Sequence, residues 1–197
     1  MRRQLVTGLL ATVALLVLTC GIYPVAVWAV GQVAFEHQAN GSFVKVDGKV
    51  VGSSLIGQNF ADKDGTPITK YFQPRPSAAG KDGYDATASS SSNLGPSNPE
   101  LLKAVADRVA AYRQLNQLPN DTPVPVDAVT ASGSGLDPDI SIANARLQAA
   151  RVARARGMPL GAVMTAIARH TEPRQLGVLG EKVVNVLELN VDLDHHS

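Results

Sequence analysis

The chain has 197 residues, a formal net charge of +1 at pH 7 and one cysteine, Cys20. A net charge this close to zero gives no electrostatic reason to expect nucleic acid or an anionic membrane surface as a partner. A single cysteine cannot form an internal disulfide, and the sequence has neither a Cys-His nor a His-x-His spacing typical of zinc ligands. We therefore expect a fold that depends on packing and holds no metal.

The N-terminal region is mostly apolar and carries no charge between Arg3 and Glu36. A helix needs roughly 20 apolar residues to cross the hydrocarbon core of a bilayer, and this run is longer. The alternative is a cleaved signal peptide, whose apolar core has only about 7–15 residues and ends at a small-x-small site. The run exceeds that length, and Trp28 stands where a small residue would be needed. We therefore predict a membrane anchor in residues 1–36, followed by one domain in residues 37–197.

The charges nearest to the two ends of this anchor differ in sign. Arg2 and Arg3 precede it, whereas Glu36 is the first charge after it. Basic residues near the end of a membrane helix stay in the cytoplasm. We therefore expect a single-pass protein of the plasma (inner) membrane, with a cytoplasmic N-terminus and a periplasmic or otherwise extracytoplasmic domain.

The first half of the domain has patterns of short strands and loops. Apolar residues flank Asp47-Gly48, and this dipeptide supplies the positive φ angles of a tight turn, so residues 43–51 predict a hairpin. Residues 53–60 and 68–72 predict two further short strands. Residues 74–99 are dominated by Ser, Gly, Ala, Asn and Pro, which indicates a long loop.

The second half has patterns of helices. Asn98 and Pro99 are typical of a helix start, and apolar residues then recur at helical spacing. A second helix is predicted from about residue 141 to residue 156, stopped by Gly157, and a third in residues 160–170. Residues 183–193 are rich in β-branched residues and leucine, which predicts a strand. The fold class is therefore α+β, with a small mixed or antiparallel sheet and about three helices packed on one face.

The most unusual segment of the domain is rich in glycine and serine: residues 129–137, VTASGSGLD. Such a loop before a helix can cradle an anion, but it lacks the Gly-Lys-Ser/Thr ending of a P-loop. Ser132 or Ser134 would be a candidate nucleophile if His170 and Asp137 lay beside it, as in a serine hydrolase. The simpler interpretation is a tight turn that leads into a helix capped by Asp137.

Two arginines are candidates for contact with another protein. Arg151 lies three residues before Arg154 on the second predicted helix, so the two share a face that either is solvated or pairs with acidic groups of a partner. Arg75 lies in residues 71–77, YFQPRPS, where two aromatic residues precede a rigid Pro-Arg-Pro corner. This corner is either core followed by a turn or a docking edge.

Six segments of the chain are informative when taken together, in order. They are 52–60 (GSSLIGQNF), 71–78 (YFQPRPSA), 92–99 (SNLGPSNP), 129–137 (VTASGSGLD), 148–156 (QAARVARAR) and 184–190 (VNVLELN). One of these segments alone would be weak, but the six together span nearly the whole chain and resemble the C subunit of the Kdp potassium-transporting P-type ATPase.

The resemblance implies a non-catalytic accessory subunit of a high-affinity, ATP-driven potassium importer. The implied partners are a channel-like subunit that selects potassium, a P-type pump subunit that hydrolyses ATP, and a small single-helix subunit. The family is described as a catalytic chaperone that raises the ATP affinity of the pump subunit, and Gln148 matches the glutamine tied to this effect. The predicted topology places Gln148 outside the membrane, which disfavours direct contact between this residue and ATP.

Other functions are also compatible with the residues. One is a membrane-anchored periplasmic serine hydrolase, and another is a generic adaptor module. Within an importer, Asp137 and Asp139 could raise the local potassium concentration if the domain lay over the outer mouth. Ser132 and Ser134, in the same loop, would then be candidates for contact with a partner subunit.

Overall fold

The computed structural model describes residues 1–196, which fall into two compact units with a boundary after Phe43. The first unit is dominated by one apolar helix of 33 residues, Arg2–Ala34, whose mean hydropathy reaches 2.4 and none of which is buried. At about 1.5 Å per residue, such a helix is roughly 50 Å long, more than the thickness of a bilayer core. By length and composition, this helix is the predicted anchor.

The long helix is interrupted by one change of hydrogen-bond pattern. It consists of α1 (Arg2–Leu16), a π-helical segment (Val17–Ile22) and α2 (Tyr23–Ala34), followed by the short α3 (Glu36–Ala39). The N–H of Tyr23 donates to the carbonyl of Leu18, five residues earlier. Pro24 has no N–H, and its ring would clash with the carbonyl four residues before it in a regular α-helix. The π-helical segment lets the helix continue through this proline.

The predicted hairpin is confirmed. Strand β1 (Phe43–Val46) pairs with β2 (Lys49–Ser53). Asp47 and Gly48 between them have φ angles of 49° and 76°, the positive values that a two-residue type I′ turn requires. The local chemistry of this dipeptide was therefore sufficient to fix the turn.

The two further strands predicted in residues 53–60 and 68–72 are wrong. Beyond the end of β2, these segments have one isolated bridge, between Ser53 and Ile56, and a second bridge joins Ala61 and Pro67 in the residues between them. The physical reason is that side chains, not a neighbouring strand, bind the backbone of Phe72 and of the residue after it. Residues 74–98 form no helix or strand, as predicted.

The three predicted helices are confirmed, and the first two begin at a side-chain cap. Helix α4 is Pro99–Asn116, and the side chain of Asn98 accepts a hydrogen bond from the N–H of Glu100. Helix α5 is Ile142–Arg156, capped by Ser141 and ended by Gly157 at a φ of 66°. Helix α6 is Leu160–Arg169.

The strand predicted in residues 183–193 is confirmed for the first three residues and wrong for the rest. Strand β5 covers Val183–Asn185, and the chain then turns into helix α7, Val186–His195. Asn185 caps this helix by accepting a hydrogen bond from the N–H of Glu188. The buried residues of α7 include positions 186, 189, 190 and 193, which is the spacing of a helix face and not of a strand.

A three-stranded antiparallel sheet and helices α5, α6 and α7 enclose the core. Its strands lie in the order β3 (Asp139–Ser141), β5, β4 (Thr171–Glu172), so β5 is central. The side chains of α5 that face the core are mostly small, which allows α6 to approach closely. The largest fully buried apolar side chains are Phe72, Ile140, Val152, Val163, Val184, Val186, Leu189 and Leu193.

Candidate functional site

Gln148, the residue linked to nucleotide by resemblance, lies on α5 with 1% of its surface exposed. Its Oε1 accepts hydrogen bonds from the N–H of Gln73 at 2.7 Å and from Nη2 of Arg151 at 2.7 Å. Its Nε2 donates to the carbonyl of Gln73 at 3.0 Å and to Oδ1 of Asn144 at 2.9 Å. A side-chain amide has two donor and two acceptor positions, so Gln148 uses its full hydrogen-bonding capacity inside the domain.

Asn190 on α7 binds the preceding backbone residue in the same way. Its Oδ1 accepts from the N–H of Phe72 at 2.8 Å, and its Nδ2 donates to the carbonyl of Phe72 at 3.0 Å. Two helices, α5 and α7, therefore hold the backbone of Phe72 and Gln73, and we call these two residues the clamped segment.

The clamped segment forms part of the wall of an open groove. The groove has a volume of about 520 Å³ and lies between residues 66–76 and helix α4. Gln73 and the three residues that follow it line the groove, and Gln148 binds the backbone of Gln73. Its lining residues are Thr66, Pro67, Gln73, Pro74, Arg75, Pro76, Arg108, Ala111, Tyr112, Gln114, Leu115 and Ala128.

Arg151 is buried, with 4% of its surface exposed, so its interpretation as part of a solvated face is wrong, and its contact with a partner stays a prediction. Its Nε donates to Oδ1 of Asn116 at 2.9 Å, and its Nη1 donates to the carbonyls of Tyr71 and Thr69. Within residues 1–196, no carboxylate lies within ion-pair distance of this guanidinium. Burial lowers the pKa of Arg151 to about 10. A buried cation is here solvated by neutral oxygen atoms of the protein.

The hydrogen bonds continue from Gln148 to the start of α5. Asn144 donates to Oδ2 of Asp127 at 2.9 Å, and Asp127 accepts from both the N–H and the hydroxyl of Ser141. Tyr112 on α4 donates to Oδ1 of Asn144 at 2.8 Å, and burial raises the pKa of this phenol. We call five of the connected side chains the polar network; they are Asn116, Asp127, Asn144, Gln148 and Arg151.

The network was missed at the sequence level, although a signal existed. Asn144, Gln148 and Arg151 follow the spacing i, i+4, i+7, which places them on one face of a helix. Ala145, Ala149 and Val152 are buried next to them. Polar residues that share a face with such small apolar residues indicate buried amides and a buried guanidinium.

Arg75 forms an ion pair with Asp137, with Nη1 and Oδ2 2.7 Å apart and both side chains largely covered. The hydroxyl of Tyr84 donates to the carbonyl of Arg75 at 2.8 Å, and burial raises the pKa of this phenol. Asp137 is therefore paired with a guanidinium within the domain, and its role at a potassium entrance stays a prediction. The interpretation that Asp137 caps α5 is wrong, because Ser141 is the cap.

The glycine-rich loop is a docking point for the long loop before α4. The carbonyl of Ser134 accepts from the N–H of Ser90 at 2.9 Å, and the carbonyl of Gly135 accepts from the hydroxyl of Ser77 at 2.6 Å. A Cβ atom at Gly135, where φ is +69°, would lie 2.5 Å from the carbonyl oxygen of Ser90. Glycine is therefore required at position 135 by close approach of the backbone.

The predicted nucleophile, base and acid do not come together. The hydroxyl groups of Ser132 and Ser134 lie 3.4 Å apart and accept from backbone N–H groups of their own loop. His170 instead lies 3.3 Å from Asp192 and 3.9 Å from Glu188. Among the hydrogen bonds of residues 1–196, none joins either serine to His170. The arrangement that the serine hydrolase interpretation required is absent from the described chain.

Asp139 is half-buried on strand β3, and its Oδ1 accepts from Nδ2 of Asn185 at 3.3 Å. Burial raises its pKa to about 6, with further contributions from the negative charges of Asp137 and Glu172. This carboxyl group therefore changes its charge near neutral pH, unlike an ordinary surface aspartate.

We expect Asp139→Asn to stabilise the domain by about 1 kcal/mol at pH 7.5, and to have little effect near pH 4. The folded-state pKa of Asp139 lies above its unfolded value, so the wild type loses stability as the pH rises through about 6. Solvent screening of a half-exposed carboxylate keeps the effect this small. Thermal unfolding of the full chain at both pH values measures it, with the exposed Asp121→Asn as the control. An equal gain at both pH values would contradict this assignment.

The fold and the site together define a class of protein: one N-terminal helix able to cross a bilayer, joined to a small α+β domain with a buried polar network. The family model described as "K+-transporting ATPase, c chain" matches residues 5–195. The chain therefore belongs to the KdpC family.

Curated relatives named "Potassium-transporting ATPase KdpC subunit" are similar to the chain over nearly its whole length. The protein of Mycobacterium bovis BCG is 57% identical over 194 residues, which cover 98% of this chain and 99% of the relative. The protein of Methylococcus capsulatus is 55% identical over 172 residues, 87% of each chain. The protein of Gemmatimonas aurantiaca is 52% identical over 98% of this chain and 94% of the relative.

Proposed function

We propose that the chain is a non-catalytic accessory subunit of an ATP-driven potassium import complex. The observation that carries this proposal is the near-full-length similarity to proteins named as KdpC subunits of a potassium-transporting ATPase. The contacts of Gln148 and Arg151 are compatible with this proposal, since both side chains form hydrogen bonds to the backbone of residues 71–73. In this proposal, a channel-like subunit selects potassium, a P-type subunit hydrolyses ATP, and a small single-helix subunit completes the complex.

Purification from membranes tests this proposal directly. The full chain with an affinity tag at its C-terminus would be expressed together with its neighbouring transport subunits and solubilised in mild detergent. We expect a large multi-span subunit and the ATP-hydrolysing subunit to be recovered with it, and the recovered complex to hydrolyse ATP in response to potassium. Recovery of the tagged chain alone would contradict the proposal.

The proposed orientation places the N-terminus in the cytoplasm and the domain outside, because Arg2 and Arg3 precede the apolar helix and Glu36 follows it. The domain is then bathed by the medium and not by the nucleotide pool of the cell. Any effect of the domain on ATP affinity must in that case pass through the protein across the membrane.

Cysteine labelling tests the orientation. In a Cys20→Ala background, which removes the chain's one cysteine, Ser90→Cys is expected to react with a membrane-impermeant maleimide in intact cells, because Ser90 is exposed. Gln4→Cys, at the other end of the anchor, is the matched control and should react only after the cells are lysed. The reverse pattern of labelling would contradict the proposed orientation.

The proposed chaperone effect on ATP affinity is compatible with a domain outside the membrane. Gln148 acts in it as a positioning residue: it fixes the clamped segment, and the clamped segment sets the wall of the groove next to α4. A partner subunit in contact with this wall would sense the state of the domain, and its nucleotide affinity would change through that contact. The residue needs no contact with ATP in this scheme.

A further inference from the structure

The connection between strands β4 and β5 exposes three large apolar side chains. It covers residues 173–182, which we call the apolar loop. Leu176, Val178 and Leu179 are 90%, 73% and 54% exposed. A single exposed leucine on a protein surface needs no explanation, but three within four residues form a patch of the kind that marks interaction sites.

The apolar loop has a fixed shape. Nη2 of Arg174 lies 2.7 and 2.6 Å from the two carboxylate oxygens of Glu181, so an ion pair closes its base. Inside the loop, the N–H of Leu179 donates to the carbonyl of Gln175 at 2.9 Å. Leu176 has a φ of 52°, a conformation that costs a leucine about 1 kcal/mol. A strained leucine at the tip of an ordered turn is typical of a functional contact.

The charges of the loop favour a protein as its partner over a lipid surface. Arg174 is neutralised by Glu181 within the loop, and Lys182 is the one other basic residue in residues 173–182. The segment has no Trp, Tyr or Phe, the residues that anchor loops at a membrane interface. Its tip is therefore complementary to an apolar pocket and not to headgroups.

The size of the apolar patch indicates what kind of protein partner can bind it. Stable association of two freely diffusing chains needs about 800 Å² of surface from each partner, and three side chains supply only part of this area. A partner held beside the loop by a shared membrane complex needs less, because the second contact is then intramolecular. Small, preorganised apolar anchors are the residues that dominate such contacts.

We propose that the apolar loop is an anchor that inserts Leu176 and Val178 into an apolar pocket on another subunit of the potassium-transporting complex. The proposal rests on the proposed function, since it requires such a complex. It assigns a role to a loop that belongs neither to the polar network nor to the groove.

Two experiments in the assembled complex test the anchor. In the first, Leu176 is replaced by the photo-reactive residue p-benzoylphenylalanine and membranes that contain the complex are irradiated. The expected product is a covalent adduct between this chain and another subunit, identified by mass spectrometry. An adduct only with lipid, an adduct only with a second copy of this chain, or no adduct would each overturn the proposal.

In the second, Val178→Ser and Leu176→Ser are combined, and the recovery of the partner subunits with the tagged chain is measured. We expect recovery to fall about tenfold, which corresponds to about 1.4 kcal/mol of binding free energy. Val126→Ser is the matched control, since Val126 is also 73% exposed and lies elsewhere on the domain; it should leave recovery unchanged.

The outcomes separate this proposal from the proposed function. If the wild-type chain recovers no partner, the proposed function fails and the anchor fails with it. If the wild type recovers its partners and the loop variant recovers them equally well, only the anchor fails. Equal unfolding temperatures of the loop variant and the wild type ensure that a loss of recovery reports the contact and not the fold.

Discussion

Arg151→Leu is expected to lower the free energy of unfolding of the domain by about 3 kcal/mol. The guanidinium donates to Asn116, Gln148 and the backbone carbonyls of residues 69 and 71. Leucine leaves these buried oxygens with fewer donors, and an unsatisfied buried acceptor costs about 1–3 kcal/mol. The loss is partly offset because leucine also removes a buried charge, whose desolvation lowers the pKa of Arg151 to about 10.

Two further variants make this result specific. Arg151→Lys keeps the positive charge but replaces a planar fork of donors by a compact ammonium group that cannot reach the same set of oxygens. We expect it to lose about 2 kcal/mol. Arg146→Leu is the control, because Arg146 is exposed on the same helix; it should change stability by less than about 0.5 kcal/mol. Chemical unfolding of the full chain in detergent provides the measurement, and equal stability of the two leucine variants would contradict a role of the network in stability.

Gln148→Met is expected to raise the KM for ATP of the assembled complex about fivefold, equivalent to about 1 kcal/mol of coupling free energy. Methionine keeps the length of the side chain but removes both hydrogen bonds to Gln73. The clamped segment and the groove wall then lose one of their two supports. The other support is Asn190 on α7, which holds the backbone of Phe72.

A variant of Asn190 distinguishes a positioning role of Gln148 from direct contact between Gln148 and nucleotide. Asn190→Leu removes the hydrogen bonds to Phe72 and lies on a different helix, so it should raise the KM for ATP in the same direction as Gln148→Met. Arg146→Met, on the exposed face of α5, should leave KM unchanged. A KM that responds to Gln148→Met and ignores Asn190→Leu would contradict transmission through the clamped segment. Equal recovery of the partner subunits with each variant ensures that KM is measured on complete complexes.

The features that could be predicted from sequence are those that neighbouring residues determine. Asp47-Gly48 permits the positive φ angles of its turn with no help from the rest of the chain. Asn98 caps the helix that it precedes, and Gly157 ends the helix before it. The apolar helix is equally local, because an uncharged run of this length satisfies its own backbone hydrogen bonds. The family could also be predicted from the six segments, since it follows from residue identity.

The secondary-structure predictions failed where the hydrogen-bond partners come from residues that are distant along the chain. Residues 68–72 were predicted as a strand, but the N–H of Tyr71 donates to the carbonyl of Ile68 in a turn, and the groups that bind the backbone of Phe72 belong to Asn190, 118 positions away along the chain. Residues 186–193 have the composition of a strand, yet the cap at Asn185 and the burial of one helical face make them a helix. Propensity is a weak prior, and tertiary packing overrides it at these places.

By itself, the sequence determined the long apolar helix, the hairpin, three further helices and the family, because each depends on local conformation or on residue identity. Only the tertiary structure decided which groups Gln148 and Arg151 bind. Their partners come from residues 69–73 and from α4, far along the chain. Whether an arginine is solvated or buried depends on which surfaces meet around it, and that is settled only when the chain has folded.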